Sequence, residues 1–135
     1  VWLMGGPGDQ KIANEIMASC QATTAVINLV GQTTIVEAID LLASADAVVS
    51  NDSGLMHIAA ATNTPVVGIF GSSSEQHTPP LGDNTTSIFN SIDCRPCFAR
   101  HCPLGHTRCL SELRADKVIH ALAKLLAPSP PQLTI

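Results

Sequence analysis

Ala47-Val48-Val49-Ser50-Asn51-Asp52-Ser53-Gly54-Leu55-Met56-His57-Ile58-Ala59-Ala60-Ala61 joins an apolar run to a small-residue run through a four-residue turn. Asp46–Ser50, centred on Val48 and Val49, reads as a strand buried on both faces. Asn51-Asp52-Ser53-Gly54 is turn chemistry, and Leu55–Thr62 reads as a helix packed through small side chains. A strand that turns directly into a helix is the repeating unit of a parallel sheet.

The same alternation extends outward in both directions. Downstream, Pro65–Phe70 is a further apolar strand ending at Gly71. Upstream, Thr34-Ile35-Val36-Glu37 is a capping box opening a helix to about Ser44. Ala25–Asn28 reads as a strand, and Asp9 to about Cys20 as a helix with Ile12, Ala13, Ile16 and Met17 on its inner face. Val1–Met4 is an apolar run ended by the turn Gly5-Gly6-Pro7-Gly8. Strand–helix spacing of this kind predicts an α/β fold: a Rossmann-like parallel sheet with helices on both faces. After Gly71 the pattern loosens into a Ser/Pro/Gly loop over residues 72–85 and a short strand at Thr86–Phe89. A Cys-rich loop over residues 93–110 precedes an amphipathic helix from about Arg114 to Leu126, with Val118, Leu122 and Leu125 inward. Residues 1–127 are therefore expected to form one domain, and 128–135 a loose Pro-rich tail.

Composition narrows the class. With 135 residues, 45% hydrophobic and 13% charged, the chain is expected to be globular. No run of 18 apolar residues occurs, so no membrane-spanning helix is expected. A start on a buried strand with no initiating Met reads as a cut in a longer chain. The net charge of -4 conceals an asymmetry: residues 1–90 carry eight acids and one base, residues 91–135 three acids and six bases. Such a basic end suits an anionic partner, although a solvated face accounts for it equally well.

The chemistry concentrates at the strand-to-helix turns. A helix N-terminus offers unpaired N–H groups and the positive end of the dipole, which suits phosphate. Ser53 adds a hydroxyl, Gly54 permits close approach to the backbone, and His57, one turn in, can donate to a phosphate oxygen. Asp52 orders the turn or accepts from a ligand hydroxyl. The competing account makes this a capped turn with a core histidine at 57. Gly5-Gly6-Pro7-Gly8-Asp9 and Gly71-Ser72-Ser73-Ser74 follow strands on the same predicted edge, which favours a nucleotide or sugar-phosphate pocket. Asp9 either caps its helix or accepts from a ribose. The dinucleotide fingerprint G-x-G-x-x-G is missing at residues 5–10, which counts against NAD.

The stretch 47–61 resembles the signature of glycosyltransferase family 9, the ADP-heptose-using enzymes of lipopolysaccharide core assembly. So do Pro65–Gly71 with Ser72-Ser73-Ser74, Thr78-Pro79-Pro80-Leu81, and the block from Cys94 to His106, which is most similar to the type II branch of that family. The resemblance implies the C-terminal, sugar-donor half of a GT-B glycosyltransferase, with the N-terminal acceptor domain absent. Asp52, Ser53, Gly54 and His57 would hold the diphosphate of ADP-heptose; Asp9 and Thr33 would lie at the nucleoside. The family's general base belongs to the N-terminal domain, so no catalytic residue is expected here and the fragment is expected to be inactive alone. The implied reaction is inverting heptose transfer to the inner core of lipopolysaccharide, without a cofactor or a nucleic-acid partner. It is placed at the cytoplasmic face of the inner membrane, with peripheral contact through the acceptor.

Four of the five cysteines fall at Cys94, Cys97, Cys102 and Cys109. Clustered thiols without a secretory signal suggest structural Zn, with His101 and His106 as spare ligands. Packing thiols or a disulfide compete, because only one Cys-x2-Cys knuckle is present. Arg100 and Arg108 in this loop are candidate contacts to the phosphorylated acceptor. Two other classes stay open: another α/β nucleotide binder, such as half of a sugar-nucleotide epimerase, and a Cys-rich metal module on an α/β scaffold.

Overall fold

The computed structural model describes residues 1–20 and 25–127, so the expected tail at 128–135 lies outside the described residues. The backbone divides into two compact units, Val1–Leu41 and Leu42–Ile135.

In the first unit, β1 (Trp2–Leu3) pairs in parallel with β2 (Ile27–Asn28), Trp2 opposite Ile27. Both strands are shorter than the apolar runs suggest. Between them a 3-10 turn over Pro7–Asp9 leads into α1 (Gln10–Ser19). The turn closes on itself: Asp9 N–H donates to Gly6 O at 3.0 Å, and Gly6 N–H donates to Asp9 Oδ2 at 2.9 Å. The inner face of α1 is narrower than expected. Ala13 is buried and Met17 half-buried, whereas Ile12 and Ile16 are exposed. At 100° per residue, positions 12 and 16 sit about a quarter turn from 13 and 17, and only the latter pair meets the unit's core. The capping box of α2 (Ile35–Ser44) forms as the sequence predicts. Thr34 N–H and Oγ1 donate to Glu37 Oε2 at 2.7 and 2.8 Å, and Glu37 N–H donates to Thr34 Oγ1 at 3.3 Å. Those bonds hold the Glu37 carboxyl below the usual carboxylate range.

In the second unit, three parallel strands take the order β3 (Val48–Asn51), β4 (Val66–Phe70), β5 (Thr85–Phe89). The register sets Val48 opposite Val66 and Val66 opposite Thr85. Neighbouring positions point to opposite faces of a strand, and Val66, Val67 and Phe70 are all 0% exposed, so both faces of β4 are covered. Helix α3 (Gly54–Ala61) packs on β3 and β4, and α5 (Ala115–Leu126) on β4 and β5. The parallel α/β expectation holds, and the inward face of α5 is the expected Val118, Leu122 and Leu125. A short helix, α4 (Arg108–Ser111), appears in the Cys-rich loop where no helix was expected; four residues are too few to leave a periodic signal.

Small residues make the close approach of α3 to β4 workable. Ala59 and Ala60 are buried, and Gly68 faces Met56. A Cβ at Gly68 would stand 2.9 Å from Met56 Sδ and 3.0 Å from Phe70 Cε2, both inside the core. The buried Thr64 hydroxyl is satisfied by Leu42 O at 2.9 Å. Among the described residues no buried side-chain nitrogen or oxygen lacks a partner. Replacing Gly68 with Ala is expected to overpack this contact and to cost about 1–3 kcal/mol in a denaturant-melt comparison; an unchanged midpoint would show that Met56 has room to move.

Candidate functional site

In the second unit the parallel strands bring the turns after β3 and β4 to one edge, and a hydrogen bond joins them. Thr78 Oγ1 donates to Asp52 Oδ2 at 3.1 Å, and Asp52 N–H donates to Ile69 O at 3.2 Å. Asp52 is thereby fixed by both neighbouring segments. His57 Nε2 lies 4.0 Å from Asp52 Oδ1, too far for a hydrogen bond but close enough for attraction when the ring is protonated. His57 is exposed, which overturns the alternative of a core histidine at this position.

Ser53 is the N-cap of α3, with φ -155° and ψ 168°, yet its hydroxyl makes no capping bond to the helix. It lies 3.3 Å from Ser50 Oγ instead. A Cβ built at Gly54 would meet nothing within 4 Å, so the space over the helix start is open. Asp52, Ser53, Gly54 and His57 are thus grouped around one helix N-terminus, where Met56 N–H turns back to Ser53 O at 3.2 Å.

In the first unit the two turns also meet. Gly31 N–H donates to Gly5 O at 3.0 Å, and Gly31, at φ +69°, passes so near Pro7 that a Cβ there would stand 3.2 Å from Pro7 Cα. The turn carrying Asp9 and the segment leading to Thr33 are neighbours for that reason. Asp9 acts as the cap of its own turn through Oδ2. Thr33 stands half-buried, one residue ahead of the capping box.

The Cys-rich loop encloses a cavity of about 140 Å³ lined by Cys94, Cys97, Cys102, Cys109, Arg100 and His106, among others. All five cysteines of the chain are free. The expectation of Zn at Cys94, Cys97, Cys102 and Cys109, with His101 or His106 in reserve, is not met. Among the described residues no group of three His, Cys, Asp or Glu converges as a metal site. Cys94 Sγ lies 3.9 Å from His106 Nε2, and Cys109 Sγ donates to Thr107 O at 3.9 Å. The four thiols of the loop line the same cavity. Arg108 is already engaged, its Nε donating to Glu112 Oε1 at 2.6 Å, and each partner favours the charged form of the other. Arg100 is exposed at the cavity mouth.

Two participants carry no local signal in the sequence. Thr78 reaches Asp52 across 26 residues. Arg95, counted above only as part of a basic stretch, packs its side chain against the segment after β4. Each is recognisable only once the chain has brought distant residues together.

The second unit is a parallel α/β unit with a helix N-terminus at the carboxyl ends of its strands, the place where folds of this kind commonly seat ligands. Residues 1–108 match the profile of glycosyltransferase family 9 (heptosyltransferase), and the chain belongs to that family. It is 46% identical over 90 residues to lipooligosaccharide heptosyltransferase 2 of Haemophilus influenzae, covering 65% of this chain and 26% of that protein. It is 39% identical to the Haemophilus ducreyi protein of the same name, covering 94% of this chain and 38% of the relative. The structure of Escherichia coli ADP-heptose lps heptosyltransferase II superposes with a TM-score of 0.80 at 34% identity, covering 93% of this chain and 36% of that one. The chain thus spans well under half the length of these relatives.

One thiol of the cavity is set apart electrostatically. The backbone N–H of Thr107, opposed by burial and helped by those of Leu104, His106 and Gly105, holds the Cys102 thiol below its ordinary range. A lowered pKa means more thiolate at neutral pH. The pH profile of Cys102 alkylation, followed by mass spectrometry, is therefore expected to turn over below the free-thiol value of about 8.5; a midpoint at or above that value would refute the assignment.

Proposed function

We propose that this chain supplies the sugar-donor part of a heptosyltransferase of lipopolysaccharide core assembly, residues 1–127 serving as its donor domain and the loop at 93–110 as an insertion before the last helix. The single observation that carries the reading is the open N-terminus of α3, where the Ser53 hydroxyl, which makes no capping bond, and the exposed His57 flank a carboxylate fixed by Thr78. Family membership supports the same assignment.

In this reading the first-turn amides of α3, Ser53 and His57 hold the diphosphate of ADP-heptose. They act on the leaving group: charge that builds on the departing ADP meets the positive end of the helix and an imidazole able to donate. Asp52 is a poor partner for phosphate as a carboxylate. Its bond from Thr78 and its position beside His57 suit it to orient that ring and to accept from a sugar hydroxyl. Asp9 Oδ2 is occupied by Gly6 N–H, which leaves the second oxygen for a ribose hydroxyl, with Thr33 at the nucleoside. Inversion follows from direct displacement by an inner-core heptose hydroxyl whose proton is taken by a base outside this chain. Transfer needs no cofactor, and the segment alone turns over no substrate. Reaction at the cytoplasmic face of the inner membrane follows from the acceptor. Among the described residues no helix is long and apolar enough to cross a membrane.

Calorimetric titration of the full-length protein with ADP-heptose, with GDP-mannose and NAD as controls, tests the reading. Selective binding of the ADP sugar is expected, weakened by about tenfold or more in His57→Ala, because a bond to a charged group is lost. Equal affinity for all three ligands, or a His57→Ala protein that binds as well as the parent, would sink it. Arg100 and Arg108 are proposed acceptor contacts. Their replacement by Ala is expected to raise acceptor KM and to leave ADP-heptose affinity alone, and unchanged acceptor KM removes them from the acceptor site.

A further inference from the structure

The Arg95 side chain is only 8% exposed in the second unit, and its guanidinium bonds run to one segment. Nε donates to Gly71 O at 2.9 Å, and Nη2 donates to Ser73 O at 3.0 Å and to Glu75 Oε2 at 2.9 Å. The guanidinium carbon stands 4.3 Å from the centroid of the Phe89 ring, on β5. Two amides beyond Arg95 add to the attachment: Cys97 N–H and Phe98 N–H both donate to Ser72 O, at 3.0 and 2.8 Å. The Phe98 ring meets His77 edge-on, with centroids 5.4 Å apart. The Cys-rich loop therefore grips the segment after β4 at Gly71, Ser72, Ser73, Glu75 and His77.

That segment leads to the helix N-terminus. Ser74 organises it, its carbonyl accepting from His77 N–H and Thr78 N–H and its hydroxyl from Gln76 N–H. Thr78 then donates to Asp52 beside His57. A chain of short contacts runs from the buried guanidinium to the residues proposed to hold the sugar nucleotide.

We infer that Arg95 is a positioning residue for the sugar-donor site: it fixes residues 71–75 so that Thr78 presents to Asp52, and Asp52 to His57. The inference rests on the donor-site reading above. The residue type follows from the geometry. Only a planar fork can donate to two carbonyls and a carboxylate while stacking on a ring, and a buried cation is tolerated only when paired. Glu75 completes the pairing, and the bond from Arg95 holds its carboxyl below the usual range. Lys at this position keeps the charge but not the fork, so it separates positioning from mere charge balance.

The test uses the full-length protein with Arg95→Lys and, as a milder change, Glu75→Gln, which keeps an acceptor for the guanidinium. Melting temperature, ADP-heptose KM, acceptor KM, kcat and amide hydrogen exchange are measured for each. The expected result for Arg95→Lys is a folded protein with faster exchange at the amides of His77, Thr78, Cys97 and Phe98. Its ADP-heptose KM rises by about tenfold, since small misplacements of binding groups have large kinetic effects, while acceptor KM stays within about twofold. Glu75→Gln is expected to fall between Arg95→Lys and the parent. Faster exchange with unchanged ADP-heptose KM would overturn the inference, because Arg95 would then hold a segment irrelevant to the donor. Parallel losses in both KM values, tracking a fall in melting temperature across the two variants, would overturn it in favour of a purely structural role. If the unmodified protein fails to bind ADP-heptose, the donor-site reading falls and takes the donor role of Arg95 with it, whereas exchange at His77 and Thr78 still reports whether the grip exists.

Discussion

Burial of β4 on both faces is the constraint on which the rest of the second unit depends. Val66, Val67 and Phe70 have no exposed surface, and parallel neighbours on both sides satisfy the strand's backbone. Burying such side chains contributes roughly 1.5–3 kcal/mol each, and only a strand covered above and below collects that for adjacent residues. Parallel pairing also dictates where chemistry can occur. With all three strands pointing the same way, the turns after β3 and β4 emerge side by side, and a bond such as Thr78 to Asp52 becomes geometrically available.

At that edge the side chains that pack on the sheet and those left accessible alternate residue by residue. Ala59, Ala60 and Met56 face the sheet, while Gly54 and His57 face solvent from the same two turns of helix. Ser53 holds the backbone angles of an N-cap but leaves its hydroxyl outside the helix, so the first-turn amides are not fully spent on closing α3. In the first unit the choice goes the other way. Asp9 and Glu37 both commit carboxylate oxygens to nearby backbone N–H groups, which makes their turns rigid before any ligand arrives.

The Cys-rich loop has a different character from the metal knuckle its spacing suggests. Its free thiols line a cavity, and its firmest attachments are made by Arg95 and by the amides of Cys97 and Phe98. The loop lies as a strap across the segment that follows β4, tied by the Arg95 side chain. Shared occupancy of a short stretch of sequence says that thiols are near one another; it does not say that their sulfurs converge.

The sequence by itself determined the elements whose signals are local. The alternation of β-branched runs with helical runs, the Thr34–Glu37 capping box and the Asn-Asp-Ser-Gly turn each act over a few residues, so the parallel α/β order and a helix opening just after that turn were legible. Strand ends moved by one or two residues because pairing partners, not propensity, decide where a ladder stops. Only the tertiary structure decided that Ile12 and Ile16 stay exposed, that His57 faces solvent, that the four clustered thiols do not form a metal site, and that Arg95 and Thr78 serve the same edge of the sheet. Those outcomes depend on which surfaces meet and on contacts between residues some 20 or more positions apart. A local pattern sets the direction of a side chain from its own helix or strand; what lies opposite it is fixed only when the chain has closed.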